Sequence, residues 1–189
     1  MRRYSVLIIC VSLLFGCSSD RKKAREYREQ GDWINSEEYY RRAVKKDPDD
    51  ARLHNELGYV CEKRGFFDLA RDEYREAVRL DPYFVEAHNN VGTVLYRMGM
   101  MRDAFEAFKK LLEIDPNNAN AYNNLGLISH IYFKNKEQAL GYYKEAIRLN
   151  PDSSTFHHNL SQLYSSMGKQ KEAKEEAERA LLLKRHEKK

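Results

Sequence analysis

Proline and glycine are scarce in this 189-residue sequence, four and nine respectively, which excludes a collagen-like or loop-dominated chain. The Val/Ile/Thr alternations that strands prefer are few, and this argues against a sheet protein. Charge of one sign is lacking too. The 33 Lys and Arg stand against 29 Asp and Glu, for a net charge of +4, and a polyanion-binding surface needs a larger excess. Against these shortages, 42% of residues are apolar, with 13 Tyr and 8 Phe, ample material for a folded core and too much for a disordered chain. Apolar residues recur at three- and four-residue steps, so the expected fold class is all-α.

Residues 1–17 differ from the rest. Arg2 and Arg3 lead into Tyr4–Phe15, which carries no charge, followed by Gly16-Cys17-Ser18-Ser19. This pattern predicts a secretory signal. At roughly 1.5 Å per helical residue the apolar stretch reaches about 20 Å, short of the ~30 Å hydrocarbon core. Leu14-Phe15-Gly16-Cys17 resembles the lipobox of bacterial lipoproteins, with Phe15 bulkier than the family's usual small residue. The resemblance implies cleavage after residue 16 and lipidation of Cys17, palmitate included, with residues 17–20 as a short tether. Cys10 would leave with the signal and Cys61 alone would remain, so no intramolecular disulfide is expected. Losing Arg2 and Arg3 lowers the net charge from +4 to +2, and nucleic acid is not an expected partner. Ser18, rather than Asp, after the lipidated Cys implies an outer-membrane address facing the periplasm.

The four prolines, Pro48, Pro82, Pro116 and Pro151, stand 34, 34 and 35 residues apart. Ala43, Ala77, Leu111, Ala146 and Ala180 keep the same step, as do Gly58, Gly92, Gly126 and Ser161, and Gly31, Gly65, Gly99 and Gly168 with one member missing. Several independent series at one period mark a repeat architecture.

Within each period the residues resemble the tetratricopeptide repeat (TPR). The second repeat supplies His54, Leu57, Gly58, Ala70, Tyr74, Ala77 and Pro82; the third His88, Val91, Gly92, Leu95, Ala104, Phe108 and Pro116. The fourth supplies Tyr122, Leu125, Gly126, Ala139, Tyr143, Ala146 and Pro151, the fifth His157, Leu160, Tyr164, Ala173 and Ala180. The first matches partially, from Ala24 and Tyr27 through Tyr40, Ala43 and Pro48. The resemblance implies a right-handed α-solenoid of about five helix-turn-helix repeats: 21–50, 51–84, 85–118, 119–153 with one inserted residue, and 154–187 with a basic tail to 189. Small residues on the first helix let the second approach, the spacing of Ala70, Tyr74 and Ala77 forms an apolar stripe, and the prolines end helices. Asp49-Asp50, Asn117-Asn118 and Ser153-Ser154 offer caps to the helices that follow.

Chemistry is sparse by comparison. His54, His88 and His157 fall at equivalent points of successive repeats, where neighbouring helices lie roughly 8–10 Å apart, too far for a shared metal at about 2 Å. No metal site is expected, nor any cofactor. Gly-rich phosphate loops and Gly-x-Ser-x-Gly nucleophile motifs are absent from the sequence, and no enzyme is expected.

The expected binding surface is the concave face lined by first helices. Before the Leu-Gly position stand Glu56, Asn90, Asn124 and Asn159. They resemble the asparagine ladder of the O-linked N-acetylglucosamine transferase family, whose amides hold the backbone of an extended peptide; an amide both donates and accepts. Asn55, Tyr59, Asn89, Tyr96, Arg97, Asn123, His130 and His158 complete the candidate groove, polar with aromatic anchors. The carboxylate clamp of TPR co-chaperones is not expected, because Asn55, Tyr59, Asn120 and Asn124 stand where its cations would be.

Two roles remain open. One is a membrane-anchored adaptor for segments of envelope proteins, similar to TPR lipoproteins that act as pilotins for type IV pilus secretins or as scaffolds for cell-wall enzymes. The other is a permanent structural subunit of an envelope complex whose groove is idle. Three local expectations follow. Arg21, Lys22, Lys23, Arg25 and Arg28 face a membrane surface, or simply solvent. The extra residue of the fourth repeat bulges the turn near Tyr132-Phe133-Lys134-Asn135, with Asn135 at positive φ. The run Leu181-Leu182-Leu183 leaves apolar surface open at the C-terminal helix, either a frayed end or a contact for a partner or a second copy.

Overall fold

The computed structural model describes residues 19–186; the signal segment and Cys17 lie outside them. The described residues are all-α, in ten helices joined by short turns. They are α1 (19–29), α2 (Trp33–Lys46), α3 (Ala51–Lys63), α4 (Phe67–Leu80), α5 (Val85–Arg97), α6 (Met101–Ile114), α7 (Ala119–Ile131), α8 (Lys136–Leu149), α9 (Ser154–Ser166) and α10 (Gln170–His186). The chain divides after Gly99 into two compact units, so that α1–α5 belong to the first and α6–α10 to the second. Among the described residues no helix is long and apolar enough to cross a membrane.

In the first unit, α3 and α4 form a hairpin because their small residues meet a large one. Tyr74 is fully buried against Gly58, where an added Cβ would lie 2.8 Å from two ring carbons. The Tyr74 hydroxyl donates to Glu62 Oε2 at 2.8 Å, which satisfies the one polar atom the ring carries inward. In the second unit α7 and α8 repeat the device, with Gly126 against Tyr143, where an added Cβ would lie 2.7 Å from a ring carbon. In α9 and α10 the equivalent positions are Ser161 and Ala177, and Ser161 Oγ donates to the Ala173 carbonyl at 2.8 Å.

The ends of the helices follow the repeat. Asp50 accepts from the Arg52 and Leu53 amides and caps α3; Asn118 accepts from the Ala121 amide and caps α7. Ser153 precedes α9 without a side-chain bond. The turns inside the repeats use Gly31, Gly65, Gly99 and Gly168 at φ between 74° and 82°, a region that costs other residues about 1–2 kcal/mol.

The expected tether is shorter than its sequence suggested, because Ser19 and Asp20 are already helical. Asp20 is buried and pairs with Lys46 on α2 at 2.5 Å, which draws the start of α1 onto the second helix. The expected basic face of α1 is also thinned. Arg21 pairs with Asp50 at 3.3 Å and Arg28 with Glu56, while Lys22, Lys23 and Arg25 are exposed.

Candidate functional site

The first unit holds a cleft of about 380 Å³ lined by Arg28, Glu29, Trp33, Asn55, Glu56, Tyr59 and Glu86. Its floor is an amide chain. Asn90 on α5 donates from Nδ2 to Asn55 Oδ1 at 2.9 Å, and Asn55 on α3 donates onward to Glu86 Oε1 at 3.1 Å. Asn55 is buried and Asn90 half-buried, so Asn55 supports the surface and Asn90 presents its own amide. Glu56, which takes the place of asparagine in this repeat, accepts from Tyr40 at 3.2 Å and pairs with Arg28. Burial and the Glu56 charge push the Tyr40 hydroxyl up to about 12, so it stays protonated and remains a donor. Tyr59 stands at the rim, edge to face with Trp33 at 6.3 Å, with the Arg28 and Lys63 cations 5.9 and 5.0 Å from its ring centre. The sequence singled out Asn55, Asn90 and Tyr59 but not Trp33 or Glu86; Trp33 opens the second helix of its repeat, at the position of Phe67 and Met101, whereas the expected groove was drawn from first helices. Tyr96 and Arg97 belong elsewhere on α5, with Arg97 over the Phe67 ring at 4.7 Å. Asn89 is half-buried, and its buried Oδ1 has no hydrogen-bond partner among the described residues.

The second unit repeats the amide pair. Asn159 on α9 donates to Asn123 Oδ1 on α7 at 2.8 Å; Asn123 is buried and Asn159 half-buried. Each pair joins a residue to one in the preceding position of the previous repeat. Two residues of the expected ladder, Asn90 and Asn159, are therefore each oriented within their own unit by a second asparagine, Asn55 and Asn123. His158 is exposed beside a cleft of about 550 Å³ lined with Ser154, Thr155, Ala177, Ala180, Leu181 and Lys184. His130 is half-buried, and desolvation, helped by Lys136 and Lys134, holds its pKa below the ordinary value. It is a neutral ring at physiological pH.

Tetratricopeptide repeat models match residues 21–84, 83–152 and 142–175, together most of the chain. The chain belongs to the tetratricopeptide repeat family. Solved structures agree on the fold. MamA from Desulfovibrio magneticus RS-1 has a TM-score of 0.80 at 19% identity, over 90% of this chain and 96% of that one. For the Pseudomonas aeruginosa PilF structure the TM-score is 0.79 at 22% identity, covering 90% of this chain and 78% of that one. YrrB, described as a TPR protein with an unusual peptide-binding site, gives 0.66 at 18% identity, covering 85% and 82%. These likenesses show an all-α TPR solenoid fold. No curated protein matches the sequence. A TPR fold is typically a non-catalytic protein-interaction scaffold.

The TPR histidines have structural partners. His54, His88 and His157 each place Nε2 at 2.9–3.0 Å from the carbonyl of the proline six residues earlier. His54 and His157 also face Glu73 and Glu176 through Nδ1, at 2.7 and 2.6 Å. Among the described residues no group of three or more His, Cys, Asp or Glu is placed to hold a metal ion.

The fourth-repeat turn is bulged where expected, but Lys134 rather than Asn135 takes the positive φ, at 57°. The Asn135 amide closes the turn onto the Ser129 carbonyl at 2.9 Å, and its side chain caps α8 by accepting from Gln138 at 3.0 Å. That capping geometry keeps Asn135 out of the left-handed region. Ile131, Tyr132 and Phe133 remain exposed at 49%, 45% and 38%, although Phe133 packs edge-on against Phe105 at 5.1 Å.

Proposed function

We propose that this TPR protein is a membrane-tethered interaction scaffold that holds extended segments of envelope proteins on the first-helix faces of its repeats. The observation that carries the reading is the amide pairing. Asn90 and Asn159 each spend one N–H on the previous repeat and retain a second N–H and an oxygen, the donor and acceptor that a peptide group requires. In the first unit Trp33 and Tyr59 line a cleft together with Asn55, the partner of Asn90, and aromatic anchors dominate interface energetics. The fold shared with YrrB and its peptide-binding site supports the same use. Attachment rests on Leu14-Phe15-Gly16-Cys17, and the resemblance to pilotin-type TPR lipoproteins points to assembly of a pilus, secretion or cell-wall complex at the outer membrane.

A photo-crosslinking residue at Tyr59 of the full chain, in cells, should capture an envelope protein. Asn90→Ala and Asn159→Ala should lose that capture while the helical signal is retained. Capture unchanged in both variants overturns the groove reading. Cys17→Ser should release the protein from membranes; unchanged fractionation with no fatty-acid label overturns the anchor.

A further inference from the structure

The helix α10 departs from its four counterparts at three places, and the departures share one face. It has 17 residues where α2, α4, α6 and α8 have 14. Position 182 is charged in every other repeat, as Lys45, Arg79, Glu113 and Arg148, and is Leu here. Position 178 is a cation in every other repeat, as Arg41, Arg75, Lys109 and Lys144, and is Glu here. The added turn brings Arg185 onto the same stripe, at the helical spacing from 178 through 182 to 185.

Leu183 turns inward and is buried, while Leu181 and Leu182 are 59% and 46% exposed. Leu181 has an ordinary reason. Its counterpart Ile147 on α8 packs against the core formed with Leu160 and Leu163 of α9, and α10 has no following helix among the described residues. Leu182 has no such reason, because its position faces solvent elsewhere in the repeat. Two clefts flank the stripe, about 550 Å³ beside Leu181 and about 530 Å³ beside Leu182. Each has room for an aliphatic side chain.

We propose that α10 pairs antiparallel with α10 of a second copy of this chain, about a twofold axis between Leu181 and Leu182. The charges select this occupant. Glu178 and Arg185 stand equally far on either side of the midpoint, so the twofold sets each Glu178 against the other copy's Arg185 and each Leu181 against the other Leu182. This is the reciprocal pattern an isologous contact demands. Parallel pairing would set Glu against Glu, and the α1 surface with Lys22, Lys23 and Arg25 would meet Lys184 and Arg185 with like charge. Among the described residues Glu178 pairs only with Lys174 of its own helix, at 3.9 Å, both exposed, so little is lost when it changes partner.

The test is Leu182→Cys in the full chain, oxidised in cells, with the unsubstituted chain as baseline for Cys10, Cys17 and Cys61. A covalent dimer is expected at this position and not at the exposed control Lys63→Cys. Adding Glu178→Arg to Leu182→Cys should reduce the dimer at least tenfold, and adding Arg185→Glu as well should restore it, an outcome that mere unfolding would not give. No dimer at Leu182→Cys, equal dimer at the control, indifference to Glu178→Arg, or capture of a different protein in place of the dimer would each overturn the proposal.

Discussion

The second and fifth repeats solve one packing problem in two ways. Between α3 and α4 a glycine accepts a buried tyrosine ring; between α9 and α10 a serine stands at the glycine's position and bonds a backbone carbonyl, and an alanine stands at the tyrosine's. The summed size at the contact is shared between helices differently. A side chain gained on the first helix is matched by a ring lost from the second. The second solution leaves less apolar burial, about 25 cal/mol for each Å² of surface, and it opens the cleft beside Ala177. The fifth repeat is therefore the weaker hairpin by construction.

The largest expected effect is removal of the ring. Tyr74→Ala should cost about 3–5 kcal/mol in denaturant unfolding, since it empties a fully buried site. Next, Gly58→Ala should cost about 1–3 kcal/mol despite better helix propensity, because the new methyl meets the ring. In the Tyr74→Ala background the same change should stabilise, and a double-mutant cycle reads the difference. If Gly58→Ala is equally costly with and without the ring, the interlock is not the cause. At the fifth repeat Ser161→Ala should cost only about 1 kcal/mol, the value of one hydrogen bond. Lys134→Gly should raise stability by about 1 kcal/mol by relieving the left-handed backbone, measured as a shift in Tm.

The smallest effect is electrostatic. The hydrogen bond to Glu73, followed by smaller contributions, raises the His54 pKa above its ordinary value near 6.5. The charged ring thus stabilises the fold fully below that value, and the contribution fades as pH rises through the raised pKa. Stability should fall as pH rises from about 6.5 through the raised pKa, and His54→Gln should flatten that slope in equilibrium unfolding. An unchanged slope would remove His54 as its source.

Much of the fold was legible because each repeat restates its punctuation. The prolines, Asp50 and Asn118 act where their spacing placed them, and the Gly58 and Gly126 contacts follow from the period. The inserted turn was legible only to within one residue. Asn135 has the better intrinsic tolerance for positive φ, but two local tasks, closing onto Ser129 and capping α8, compete for it. The candidate surface was half legible. Asn90 and Asn159 came from the ladder position, yet their bonds run to Asn55 and Asn123, because adjacent helices are staggered and a period of identical positions does not report stagger. Cys61 shows the same limit. Burial pushes its thiol up to about 11, and a lone cysteine in sequence says nothing of that inertness.

The histidine-to-proline bonds carry a consequence for how the chain finds its structure. Each one closes a loop of seven residues, from Pro48 to His54, Pro82 to His88 and Pro151 to His157, shorter than the ten-residue loops that close in about 10–100 ns. Such contacts are made before distant helices have met, and they fix the path of the chain from one repeat into the next at small entropic cost. Three separate stretches can thus begin to order independently and grow outward, as expected of an array whose units contact only their neighbours.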